Sequence, residues 1–160
     1  MVYGVWLRWG LLYVGQTLEA ERRLRDLPVG ESHHLANTFP PEIWHKVLVV
    51  AWPKLAEAQP LAEKVAPDVV GLALEHLLQA KLHPLTNSER RTPDGGWRQV
   101  AWETSRSRGA RTAHEVIDLF EAVHKIWNQA ATQLTGEWNL SPACRVVFPG
   151  EVLSDEQQAP

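Results

Sequence analysis

The sequence predicts an α+β fold, a small antiparallel β-sheet flanked by helices, and three observations carry that expectation. A β-branched and aromatic run at the N-terminus breaks at a glycine and resumes, as a hairpin does. The apolar run IWHKVLVVAW reads as one buried strand, and two later stretches repeat apolar residues at helical spacing. A chain of 160 residues suits one such domain with a small annex.

The elements follow in order. Val2 to Trp9, Gly10 and Leu11 to Val14 predict two strands joined by a tight turn near Trp9-Gly10. Gly15 breaks the second strand. Thr17 is placed to cap a helix over Leu18 to Leu27, which carries Glu19 and Glu21 in its first turn; Pro28 and Gly30 end it. After a polar loop through Pro40-Pro41, Ile43 to Trp52 is the buried strand. Pro53, Pro60 and Pro67 leave room for at most a short helix over 53–67. Asp68 then caps a helix to about Leu82, with Val70, Leu74, Leu77 and Leu78 on one face. Residues 83–112 read as loop, with a short strand over Trp97 to Trp102. An amphipathic helix is expected from Ala113 to Leu134, and the tail after Gly150 reads as disordered.

Composition bounds the chemistry. One cysteine, Cys144, excludes an internal disulfide and a cysteine-rich zinc site, so metal chemistry would fall to oxygen and imidazole ligands. No run is apolar and long enough to span a bilayer, and no signal-peptide pattern opens the chain; the expectation is a cytoplasmic protein with no membrane partner. Eight tryptophans read first as core. The net charge of −3 is unevenly spread: residues 81–111 hold seven Lys/Arg against three Asp/Glu. Within that stretch Arg90, Arg91, Arg98, Arg106, Arg108 and Arg111 form a basic strip able to track a phosphate backbone, and a solvated loop without a partner is the alternative.

Two motifs sit on this framework. Tyr13-Val14-Gly15, in LLYVGQT, ends the second strand, and Arg23 follows Gly15 by eight residues. In LEHLLQAKLHPLTN, Glu75 precedes Pro84 by nine residues and Asn87 by twelve. Over residues 1–90 this order resembles the GIY-YIG nuclease family, and the Leu-Glu-His opening and Glu, Pro and Asn spacing are similar to those of the nuclease domain of bacterial excision repair. The GIY element has two alignments. Gly4-Val5-Trp6 keeps the glycine; Met1-Val2-Tyr3 keeps the tyrosine, ten residues before Tyr13, and is preferred because the chemistry needs the phenol. Where many members carry a histidine four residues after the arginine this chain has Leu27, and His33 and His34 in the following loop are the nearest substitutes.

The resemblance implies a 1–90 nuclease domain, a 91–150 extension of basic loop plus amphipathic helix packed on it, and a 151–160 tail. It implies a metal-dependent endonuclease hydrolysing phosphodiester bonds in DNA. Glu75 would hold one Mg²⁺ or Mn²⁺, Arg23 would face the non-bridging oxygens with Arg22 as its rival, and Tyr3 and Tyr13 would position the water. His33 or His34 would assist proton transfer, and Asn87 would orient the metal helix or a tyrosine. Each has a bland reading: Glu75 as a surface carboxylate, Arg23 as a solvated helix charge, the tyrosines as strand aromatics, the histidines as polar loop residues, Asn87 as a loop end. His45, His76, His83, His114 and His124 read as structural. A non-catalytic nucleic-acid-binding module on a nuclease fold and an RNA-cleaving toxin are the competing functions; a homodimer or a protein partner stays open.

Overall fold

Strands β1 (Val2–Leu7) and β2 (Gly10–Gln16) form the expected hairpin, closed by the two-residue turn Arg8-Trp9. The structure, a computed structural model, describes residues 1–18, 38–87, 92–96, 105–133 and 138–149. The helix expected over Leu18 to Leu27, the strand over Trp97 to Trp102 and the tail after Gly150 lie outside those residues. Strand β3 (Lys46–Val50) occupies the centre of the apolar run and pairs antiparallel with β1. Two short strands, β4 (Trp138–Ser141) and β5 (Cys144–Val147), complete an antiparallel sheet of order β2-β1-β3-β5-β4. The 91–150 stretch therefore gives the sheet two strands over 138–147, a part of the chain for which the sequence pattern predicts none.

A bulge sets the face of each hairpin residue. Val5 pairs with Tyr13 but Trp6 pairs with Leu11, so Leu12 is the extra residue on β2. As a result Leu12 and Tyr13 both join the cluster formed by Tyr3, Val5, Leu7, Trp44 and Val47 on one side of the sheet. On the other side Val2, Trp6, Val14, Leu48, Val50 and Val146 pack under the helices. With both sides covered, all six residues of β1 are buried, and the polar–apolar alternation of a half-exposed strand is missing.

Helix α1 (Pro67–Leu82) buries Val70, Ala73, Leu74 and Leu78 in that second cluster. Its N-cap is Ala66, not Asp68: proline at the first helical position costs nothing because its missing N–H would be unpaired there anyway. Asp68 sits in the first turn instead and forms an ion pair with Arg108. His83 closes the helix in the left-handed region, φ 49°, and donates its N–H to Gln79 O. Two 3₁₀ turns, Trp52–Lys54 and Ala56–Leu61, occupy most of the segment before α1, in keeping with its prolines.

Two further corrections concern the second half. Arg108 and Arg111 lie on a short helix, α2 (Arg108–Thr112), rather than in a loop; Ser107 caps it by accepting from Ala110 N. The expected Ala113–Leu134 helix begins as a 3₁₀ turn over Ala113–Val116 and becomes helix α3 (Ile117–Ala131) only after it. The stretch 92–96 is a turn, with Gly95 at φ 83°.

Helix α3 lies across the sheet through Trp127, 1% exposed, whose ring meets that of Trp6 at 5.5 Å between centroids. Gly4 permits this crossing, because a Cβ there would overlap the Trp127 indole. Among the described residues Lys46 is the buried charge of the core, 3% exposed. Its Nζ donates to the carbonyls of Ala130, Ala131 and Gln133 at 2.6, 2.8 and 2.9 Å, and lies 5.4 Å from the Trp6 ring centroid. Burial pushes its pKa below the ordinary lysine value, and the three carbonyls at the negative end of α3 offset that cost. Lys46→Met keeps the aliphatic stem and strands the carbonyls. Stability should fall by about 2–3 kcal/mol, read as a Tm decrease of about 4–12 °C for a chain of this size. A thermal melt matching the native protein would remove Lys46 from the forces holding α3.

Candidate active site

The two tyrosines meet over a glycine. Tyr3 faces Gly15 across the β1–β2 ladder, and Tyr13 is two residues from Gly15 on the same strand. Their rings lie 5.9 Å apart between centroids, tilted by 39°, on one face of the sheet. A Cβ on Gly15 would stand 2.6 Å from Tyr13 Cε1 and 2.8 Å from the Tyr3 hydroxyl oxygen, so only glycine lets both rings close over the strand. Tyr3 is 1% exposed and forms the floor of this pair, while Tyr13 is half-buried and reaches the surface.

The peptide between Tyr13 and Gly15 is held by side chains. Asn87 Nδ2 donates to Val14 O and Val14 N donates to Asn87 Oδ1, each at 3.1 Å. Beside it, Leu85 N donates to Leu11 O and Thr86 N to Leu12 O, so residues 85–87 run along the outer edge of β2 in place of a further strand. Thr86 Oγ1 adds a bond of 2.8 Å to Leu12 O. The left-handed His83 and the following Pro84 turn the chain from the end of α1 back to this edge.

Glu75 enters the same network from α1. Gln79, one helical turn on and 5% exposed, donates through Nε2 to Glu75 Oε1 at 3.0 Å and to Val14 O at 3.2 Å. The Glu75 carboxylate and the Val14 carbonyl are therefore one amide nitrogen apart. Gln16 also lies against α1: a Cβ on Gly71 would be 3.0 Å from Gln16 Oε1. Among the described residues no group of three or more His, Cys, Asp or Glu side chains gathers. A single carboxylate steadied by an amide donor fits a hard cation that takes oxygen ligands and completes its shell with water.

The structure thus ties Tyr13, Asn87 and, through Gln79, Glu75 to the Val14 peptide, with Tyr3 over the adjoining Gly15; the tyrosine rings lie on one face of the sheet and α1, which carries Glu75, packs on the other. Arg22, Arg23, His33 and His34 lie outside the described residues, as do Arg90, Arg91 and Arg98. Arg108 stands at the other end of α1, and Arg106 and Arg111 flank it on the same short segment. Arg108 Nη1 pairs with Asp68 Oδ2 at 3.2 Å, both side chains exposed, and Gly109 packs on the Leu72 backbone. Arg111 Nη1 donates to the carbonyls of Ser105 and Arg106 at 3.1 and 3.4 Å. Asp68 and Glu75 share α1 at a separation of about 10 Å along its axis. Of the tryptophans in β1, β3 and their flanks, Trp6, Trp44 and Trp52 are buried and Trp9 is 73% exposed at the hairpin tip.

Sequence reasoning misses Gln79 and Thr86. The signal for Gln79 is its place four residues after Glu75, the spacing at which side chains meet on a helix; Thr86 carries none. Gly15→Ala tests the tyrosine pair. Overpacking of this kind costs about 1–3 kcal/mol, and the near-ultraviolet dichroism of the tyrosines should change with it. A variant with native stability and native spectrum would show that the rings do not close over Gly15.

No protein-family profile, no curated protein and no solved structure matches this chain.

Proposed function

We propose that this chain is a metal-dependent endonuclease of the GIY-YIG kind, acting on DNA. The observation that carries the reading is the convergence on one peptide, Val14, of the four motif residues that can be located. Tyr13 adjoins it, Tyr3 packs over its neighbour Gly15, Asn87 clamps it, and Glu75 reaches it through Gln79. These residues come from three separate parts of the sequence, and a chance motif match gives no reason for them to meet.

In this reading Tyr13, the half-buried member of the pair, orients the attacking water, and Tyr3 beneath it fixes the phenol's position. Mg²⁺ or Mn²⁺ held by Glu75, with water in the remaining positions, would neutralise charge on the phosphoryl oxygens. Arg23 supplies a fixed cation to the non-bridging oxygens, and His33 or His34 carries the proton, as the family resemblance implies. Asn87 touches no substrate; it holds the strand that bears the tyrosines.

The second reading, a non-catalytic nucleic-acid-binding module on the same scaffold, is favoured by the near-complete burial of Tyr3. Cleavage of plasmid, single-stranded and RNA substrates with Mg²⁺ or Mn²⁺ separates them and also tests the RNA-cleaving alternative. Glu75→Ala should abolish cleavage with the fold intact, and Tyr13→Phe should slow it about 10²–10⁴-fold, the usual worth of a positioned acid–base group. Cleavage at the native rate by purified Glu75→Ala would sink the metal-site assignment.

The arginine strip is the second test. Replacing Arg106, Arg108 and Arg111 together with Ala should weaken DNA binding and reduce the salt slope by about one unit for each arginine withdrawn from a phosphate. Because Arg108 already faces Asp68, its own share should be the smallest of the three. An unchanged affinity and slope would make the strip a solvated surface.

A further inference from the structure

Gln79 is a buried polar side chain that none of the roles above uses. At 5% exposure an amide must find partners or cost about 1–3 kcal/mol. Both groups facing its nitrogen, the Glu75 carboxylate oxygen and the Val14 carbonyl, are acceptors only, so the amide orientation is fixed by chemistry: the NH₂ points at them. One nitrogen thereby ties the helix carboxylate to the strand that carries Tyr13. Val14 O has a second donor in Asn87, so the strand does not depend on Gln79 to satisfy that carbonyl. A simple packing role therefore does not account for where Gln79 points.

We infer that Gln79 is a positioning residue for the divalent cation site: it fixes the Glu75 carboxylate in one rotamer against β2 and so sets the affinity of Glu75 for Mg²⁺ or Mn²⁺. The inference rests on the nuclease reading. A ligating carboxylate left to rotate must be ordered when the ion binds, whereas one held by an outer hydrogen bond is ordered on folding. Removing such outer partners weakens metal binding about 10–100-fold. The same amide links the carboxylate to the strand that carries Tyr13.

Two substitutions test this. Gln79→Met preserves volume and removes the donor. Gln79→Lys keeps a donor for both acceptors but seats an ammonium, paired with the carboxylate, where the metal ion would bind. Mn²⁺ binding to the purified full chain, measured by titration calorimetry without DNA, should be weaker by about 10–100-fold in Gln79→Met and weaker still in Gln79→Lys. Thermal melts of both without metal should stay close to native. In cleavage assays the Mn²⁺ concentration for half-maximal rate should rise in parallel for Gln79→Met, with the rate at saturating Mn²⁺ largely recovered, a pattern that a damaged fold does not give. Native Mn²⁺ affinity in Gln79→Met overturns the inference, as does native affinity in Gln79→Lys if the methionine variant does not fold. These failures differ from failure of the nuclease reading, which shows as no cleavage of any substrate by the native chain with Mg²⁺ or Mn²⁺, and from failure of the metal-site assignment, which shows as full cleavage by Glu75→Ala.

Discussion

The peptide of Val14 is the constraint on which the candidate site depends. It lies on the outer edge of β2, where an edge strand would otherwise show unpaired N–H and C=O groups to water or to another chain. An asparagine amide presents a donor and an acceptor in one plane, the same pair of groups as a peptide, and Asn87 uses both on Val14. The edge is thus closed by a side chain in place of another strand. Any force that fixes Val14 also fixes Tyr13 before it and Gly15 after it, and through Gly15 the ring of Tyr3. The tyrosines are placed by backbone hydrogen bonds, which are stiffer than side-chain contacts alone.

Behind that edge the sheet is held from the other side. Residues of α1 and α3 fill the face that carries Trp6, Val14 and Leu48, and Lys46 anchors the far end of α3 by three carbonyls. A buried ammonium is a poor source of net stability, since desolvation opposes each bond it makes. What it adds is direction: only one placement of α3 lets the last turn meet Nζ while Trp127 meets Gly4 and Trp6. The helix is fixed in register as well as in burial, and α1 packs beside it with Glu75 turned toward β2.

Much of this is legible in the sequence, for identifiable reasons. The hairpin announces itself by β-branched runs around Gly10, and β3 by an apolar run too short for a buried helix. The start of α1 differs from the expected Asp68 cap because capping residues are judged by type, while proline at the first helical position makes a side-chain cap dispensable. Strands β4 and β5 escape detection because four residues each carry almost no periodicity; β5 is specified by pairing with β3, a contact made across nearly a hundred residues. The meeting of Tyr3 with Tyr13 is expected from adjacent strands, but their shared face follows from the Leu12 bulge, which no local pattern encodes. Gln79 is invisible because a polar residue on an apolar helix face is ordinarily solvent-facing, and its burial depends on an acceptor sixty-five residues away.

Charge gives the last link between the site and its proposed substrate. Counted along the sequence, 81–111 is a basic strip, but folding engages part of that charge: Arg108 meets Asp68, and Arg111 turns back on the carbonyls of its own segment. Both arrangements lie at the surface, where an ion pair is worth little and exchanges readily for a phosphate partner. Such arginines are held in place without being neutralised for good, which is what a binding face needs. Arg108, paired with Asp68 in the first turn of α1, stands about 10 Å along the helix from Glu75, and a duplex offers a phosphate about every 3.4 Å of axis on each strand. A backbone lying along α1 would therefore meet Arg108 and the Glu75 region together, next to the β2 edge on whose far face the tyrosines lie. The helix that carries Glu75 is in that case also the ruler between binding and chemistry.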